Sequence, residues 1–336
     1  MVSDYRGPMD SRPLTWLTQH NHFYFCMGQS LVRLTTGCRV HLGLLDLNGE
    51  IGRVDGGIGM ALDNPGLKAT AVRSEELHVT GPLSKKVRAG ARAILDETNG
   101  VAADITVKKG IPQHVGLGSG TQATLTGAAA VAHLNNLEFT NKELADITGR
   151  GGTSGIGMAA FSSGGFILDA GHNLKQKGGF LPSSVSKTSP PPVISRMQFP
   201  DWEIKLFIPE GKGAYGSDEL SVFSDECPIP AAETAKVCRI VVMKLMPAVK
   251  EARFSDFREA LAKIQRIGFK SREIERQPVS KEIVQELHER GCAVGMSSFG
   301  PTVFAVHPNK VGETSAECEI INTSPDTTGA TISNSQ

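Results

Sequence analysis

Ile111-Pro-Gln-His-Val-Gly-Leu-Gly-Ser-Gly-Thr-Gln122 is the stretch that decides the fold. It holds three glycines, then Ser119 and Thr121, and runs directly into the alanine-rich segment 123–134. Before it, residues 104–107 alternate as a short strand does, so the local order reads strand, glycine loop, helix. A glycine loop at a helix start turns backbone N–H groups toward an anion, and the helix dipole favours negative charge there. Each charge-assisted hydrogen bond is worth roughly 1.5–3 kcal/mol, against about 0.3–1 kcal/mol from the dipole. The amides therefore dominate, and the expected guest is a phosphate or diphosphate. No lysine follows the glycines as a P-loop requires, and Gly116, Gly118 and Gly120 do not have the dinucleotide spacing G-x-G-x-x-G. The competing reading is a glycine turn that only starts a helix.

Working outward, the chain has 336 residues, which suits two lobes on a prior of about 150 residues per domain. Lysine plus arginine equals aspartate plus glutamate, 35 each, and no long basic run occurs, which argues against nucleic acid or an anionic membrane as the main partner. No apolar run reaches the roughly 18 residues of a membrane span, and the N-terminus lacks a secretory pattern. Six cysteines at 26, 38, 227, 238, 292 and 318 form no C-x-x-C pair. They read as reduced, cytoplasmic thiols rather than a zinc site or disulfide framework.

Residues 1–26 carry aromatics and histidines without a period, and are expected to be an extension or to lie upstream of a start at Met27. A strand over 31–47 then meets Asn48-Gly49, a dipeptide suited to a type I′ hairpin. Thr140 and Glu143 form a capping box. A second glycine cluster spans 149–157, and a strand is expected at 164–169. The segment 187–192, with three prolines, reads as a linker or surface loop. A strand over 202–208 delivers Gly211-Lys212-Gly213, and helical periodicity follows over 231–287. The loop Gly295-Met-Ser-Ser-Phe-Gly-Pro301 precedes a strand at 302–306. After about residue 313 the chain is polar and expected to fray.

With these loops in order, Pro112 to Thr121 resembles the phosphate-binding loop of the GHMP kinase superfamily, although Gly120 replaces the usual hydroxyl residue. Closer still, Thr36–Gly49, Gly52-Arg53-Val-Asp55-Gly-Gly-Ile-Gly59, Gly149-Arg150-Gly-Gly-Thr-Ser154-Gly-Ile-Gly157 and Ser297–Thr302 resemble the β-ribofuranosylaminobenzene 5′-phosphate synthase family, over roughly 30–308. The resemblance implies an α+β, two-lobed fold with the glycine loop in a central cleft. Its lobes would be 27–185 and 193–312, and 313–336 would be a flexible tail. It also implies transfer of a phosphoribosyl group from phosphoribosyl diphosphate to 4-aminobenzoate or 4-hydroxybenzoate with loss of CO2, in methanopterin biosynthesis, with Mg²⁺ as cofactor. The expected assembly is a homodimer. Superfamily kinases commonly carry a carboxylate soon after a Ser-Gly-Ile stretch; here Gly157 and Met158 follow Ser154-Gly155-Ile156. That weakens the two alternatives unequally: an ATP-dependent small-molecule kinase is disfavoured, whereas a non-catalytic phosphometabolite binder stays open.

The expected phosphate ligands are Gly116, Gly118, Ser119, Gly120, Thr121 and Ser154, with Lys212 as a mobile contact. For Ser119 and Thr121 the alternative is helix capping. Arg150, placed in a glycine loop, is suited to fork onto a phosphate. Arg53 would receive the benzoate carboxylate or the 5′-phosphate, and Asp55 would stabilise a cationic ribosyl centre or hold Mg²⁺. A mutual surface ion pair is the alternative for those two. His41 reads as structural, and Asp169 and His172 as groups orienting a ligand or each other.

Overall fold

A computed structural model of the chain describes residues 31–149, 155–182, 185–186, 188–214 and 216–335. The expectations for residues 1–26, and those for Arg150 and Ser154, lie outside the described residues.

The first half contains β1 (Leu31–Asp46), β2 (Arg53–Arg73), β3 (His78–Thr80), α1 (Ser84–Thr98), β4 (Ala103–Lys109) and α2 (Ser119–Leu134). It continues through α3 (Asn141–Ile147), α4 (Gly155–Ser163), β5 (Phe166–Asp169), β6 (His172–Asn173), α5 (Leu174–Lys177) and β7 (Val193–Met197). The second half holds β8 (Glu203–Pro209), α6 (Ser217–Glu226), and α7 (Ala231–Ile240), which passes through a π-helical turn into α8 (Met246–Lys250). Then come α9 (Phe254–Ile264), α10 (Gly268–Glu275), α11 (Pro278–Glu289), β9 (Ala293–Met296), β10 (Val303–His307), β11 (Cys318–Thr323) and β12 (Thr331–Ser335).

Two sheets organise the molecule. The larger runs β12-β1-β2-β4-β3, and β2 is long enough to pair with β6 at its start, β5 in its middle and β4 at its end. The smaller is antiparallel, in the order β11-β8-β10-β9. In β1 the side chains of Val32, Leu34, Cys38, Val40 and Leu42 are buried, the period of two expected of a strand with one face on the core. Arg39 and His41 alternate with them and are only half-buried. Helix α2 is buried on almost every side, which its alanine content permits. It crosses α1 at backbone contact: a Cβ on Gly90 would stand 1.9 Å from the Thr124 carbonyl oxygen, and one on Gly127 would stand 1.9 Å from that of Val87. The lobes share an aromatic seam in which Phe166 of β5 meets Phe199 and Phe257 at centroid distances of 5.5 and 6.4 Å.

The capping box at Thr140 forms in full, with Thr140 accepting from the Glu143 amide and the Glu143 side chain accepting from the Thr140 amide. Three expectations need correction. The connection from β1 to β2 spans six residues rather than a two-residue turn, and of the pair Asn48-Gly49 only Gly49 has positive φ, at 78°. The residues after 313 do not fray: β11 pairs with β8 over Cys318–Thr323, and β12 pairs with β1 over Thr331–Ser335. The proline segment is not a linker. Pro190 and Pro191 are buried, the Ala170 amide donates to the Pro192 carbonyl over 2.9 Å, and β7 pairs with β5. The first lobe's sheet therefore recruits strands from beyond residue 193 at both places.

Candidate active site

The glycine loop leads into α2 as the sequence requires. Gly116 and Gly118 have φ of 86° and 77°, a region that a side chain with a Cβ rarely adopts. Gly118 is the N-cap of α2 and no side chain caps the helix, so the capping alternative for Ser119 and Thr121 falls away. The first intrahelical bond runs from the Gln122 amide to the Gly118 carbonyl, which leaves the Ser119, Gly120 and Thr121 amides without a partner inside the helix.

Three further segments close on this loop. Arg39 of β1 donates Nη1 to the Gly116 carbonyl, and a Cβ on Gly118 would stand 3.2 Å from Arg39 Nε. Ser297 Oγ donates to the same carbonyl at 2.7 Å and accepts from the His41 amide at 2.9 Å. The Gly213 amide donates to the His114 carbonyl at 2.8 Å, which sets Lys212 beside the loop. Beneath them Lys270 donates to the Ser298 carbonyl at 3.0 Å and pairs with Glu273. Burial lowers the pKa of Arg39 to about 10, so it stays charged at neutral pH. Burial, followed by the charges of Arg39 and Lys270, drives the His41 pKa well down, so His41 is neutral.

A second cluster lies along the same strand pair. Asp55, at φ 70°, accepts from Lys177 Nζ at 2.7 Å on each carboxylate oxygen and from His172 Nδ1 at 2.6 Å on Oδ2. All three side chains are more than nine-tenths buried. A carboxylate only accepts, so His172 Nδ1 carries the proton. His172 Nε2 is buried and has no hydrogen-bond partner. Arg53 does not pair with Asp55; its Nε and Nη2 hold the carbonyls of Ala170 and Gly171 at 3.0 and 2.8 Å. Arg53, His172 and Lys177 border an open pocket of about 650 Å³ whose far wall is Thr188 to Pro192.

Asp169 bridges the two clusters. Its Oδ1 accepts from the Gly57 and Gly171 amides at 3.0 and 2.9 Å, and a Cβ on Gly57 would stand 2.6 Å from Asp169 Oδ2 and 3.2 Å from His41 Nε2. Desolvation raises the Asp169 pKa to about 6. Asp169 and His172 therefore orient backbone and Asp55 respectively, not each other. The sequence shows no carboxylate just after Ser154-Gly155-Ile156, yet β5 delivers one there: a Cβ on Gly155 would stand 2.4 Å from Asp169 Oδ2.

Sequence reasoning assigned no role to Arg39, Lys177 or Ser297. Arg39 and Ser297 stand inside quoted motifs, so a signal existed. Lys177 carried none, since an ordinary lysine in a short helix gives no sign that it is buried.

The fold first defines the class. Residues 85–165 match the N-terminal domain of GHMP kinases and residues 245–320 match their C-terminal domain. Among solved structures, homoserine kinase from Cytophaga hutchinsonii superposes with a TM-score of 0.64 at 14% identity, over 92% of this chain and 99% of that one. Mevalonate kinase from L. major does so at 0.63 and 13%, over 90% and 97%. At these identities the likeness shows the fold alone. Much nearer in sequence is the β-ribofuranosylphenol 5′-phosphate synthase of Archaeoglobus fulgidus, 43% identical over 84% of this chain and 90% of that one. That of Methanocaldococcus jannaschii is 41% identical over 83% and 90%. The chain belongs to the β-ribofuranosylphenol 5′-phosphate synthase family and is an enzyme of the transferase class. Among the described residues no helix is long and apolar enough to cross a membrane.

Proposed function

We propose that the enzyme transfers the phosphoribosyl group of phosphoribosyl diphosphate to the ring carbon of a 4-substituted benzoate, with release of diphosphate and CO2. One observation carries this reading: an anion cradle made of backbone amides and a basic, proline-walled pocket stand at two places along one strand pair, β1–β2. In this reading Gly116 to Thr121, with Arg39 and Lys212, hold the diphosphate. Arg53 supplies the cation for the acid's carboxylate, and the prolines offer flat apolar faces to its ring. The pocket's volume suits such a ligand. The names of the relatives, which make a ribosylated phenol, favour 4-hydroxybenzoate over 4-aminobenzoate. The chemistry asks for charge stabilisation as diphosphate leaves, not for a base on an acceptor hydroxyl of a sugar or alcohol.

The described residues do not fit a protein-held Mg²⁺. Among them no three His, Cys, Asp or Glu side chains converge as metal ligands, and both oxygens of Asp55 are taken by Lys177. Any Mg²⁺ would instead be held by the oxygens of the substrate's diphosphate, where it would offset negative charge. The test is incubation with phosphoribosyl diphosphate, Mg²⁺ and carboxyl-labelled 4-hydroxybenzoate. Labelled CO2 should appear without ATP. ATP-dependent phosphorylation of a small alcohol, with no CO2 from the acid, would overturn the reading.

A further inference from the structure

We infer that His172 is the base that takes the proton from the 4-hydroxyl of the aromatic acid. The inference rests on the reaction proposed above and deepens it. Three observations meet at this residue. Asp55 accepts from Nδ1, which fixes the tautomer and leaves a lone pair on Nε2. That Nε2 is a buried polar atom with no partner, and such atoms are rare enough in folded proteins to require an explanation. And His172 borders the pocket that Arg53 and Pro190 to Pro192 also line. Lys177 completes the arrangement. It neutralises Asp55 through both oxygens, so the carboxylate orients the ring and does not compete for the substrate's proton.

The chemistry gives such a base a task. The ring carbon bearing the carboxylate lies para to the hydroxyl. As that carbon attacks ribose C1, the C1–oxygen bond to diphosphate breaks and diphosphate takes the electron pair. The hydroxyl oxygen becomes a carbonyl, and its proton passes to Nε2. The ring carbon now carries both ribose and carboxylate. The carbon–carboxylate bond then breaks and CO2 leaves; its electrons restore the aromatic ring, and the oxygen takes the proton back from Nε2. Atoms and charges balance with no further reactant. A base placed at the hydroxyl is worth most when the hydroxyl is protonated, and nothing when it is already ionised.

That difference supplies the test. His172→Asn keeps an amide donor near the Nδ1 position for Asp55 and removes the base; His172→Gln reaches the Nε2 position with an amide that cannot accept a proton. Each is assayed as purified full-length protein, with melting temperature measured alongside. On 4-hydroxybenzoate, kcat should fall about 100-fold, within the range for loss of a general base, while KM for phosphoribosyl diphosphate stays within about twofold. On 3,5-difluoro-4-hydroxybenzoate, at a pH above the pKa of its hydroxyl, the ratio of wild type to variant should shrink to about fivefold or less. An equal loss on both acids in both variants overturns the base and leaves the reaction standing. No CO2 from either acid with the wild-type enzyme overturns the reaction and the base with it.

Discussion

The two sites along the β1–β2 strand pair are built from opposite materials. At the phosphate loop the working groups are backbone amides, and the side chains around them, Arg39 and Ser297, hold the loop's own carbonyl. At the pocket the working groups are side chains, and the buried charges of Asp55 and Lys177 hold one another. A site made of backbone is sensitive to any added Cβ. A site made of buried charges is sensitive to the loss of either partner, because an ion left alone in a low-dielectric site costs several kcal/mol.

The largest effect is expected where that logic is most exposed. Lys177→Met should destabilise the protein by about 3–5 kcal/mol, since it leaves the Asp55 carboxylate buried without its ammonium. Urea unfolding would measure it, and Asp55→Asn in the same chain should recover part of the loss. A Lys177→Met protein as stable as wild type would show that the pocket site does not depend on its charges.

Next comes Asp169, which stands between the two sites. Its carboxyl titrates at about 6 in the native state against 3.8 ordinarily, so the native state holds the proton more tightly. The stability this adds is fully present below the unfolded value and is lost as pH rises through about 6, amounting to about 3 kcal/mol at 1.36 kcal/mol per unit. Asp169→Asn should flatten the dependence of melting temperature on pH between about 4 and 6. Identical slopes in variant and wild type would remove Asp169 as a buried, reluctant acid.

The smallest effect on stability, and the sharpest on binding, belongs to Gly118→Val. Its φ of 77° and the approach of Arg39 leave no room for a branched side chain. KM for phosphoribosyl diphosphate should rise by at least about tenfold, equivalent to about 1.4 kcal/mol, in a protein that still folds. An unchanged KM would make the loop a turn and nothing more.

The same contrast explains what the sequence revealed. A backbone site is written in glycines at alternate positions, so the loop, α2 and the strand before it were legible, whereas the α+β class came with the family resemblance of the motifs. The pocket is assembled across long separations: Asp55 reaches His172 and Lys177, 117 and 122 positions further along the chain. No local pattern records such a meeting. Arg53 and Asp55 stand two residues apart, which left a mutual ion pair as the alternative to their site roles, yet β2 sends them to different partners, Arg53 to the carbonyls of 170–171 and Asp55 to the buried Lys177. The polar composition after residue 313 likewise concealed two strands, because strands at a sheet's margin need few apolar residues.

The last of those strands has a consequence for solubility. Without β12, the first five residues of β1 would offer an open row of amides and carbonyls, beside the buried Val32 and Leu34, as a template for a second polypeptide. The chain hands that margin to five residues, Thr331-Ile-Ser-Asn-Ser335, short and almost wholly polar. A polypeptide appended to or trimmed from this end acts directly on the border of the main sheet, and the material most exposed to it is β1, which carries Arg39 and His41 into the site.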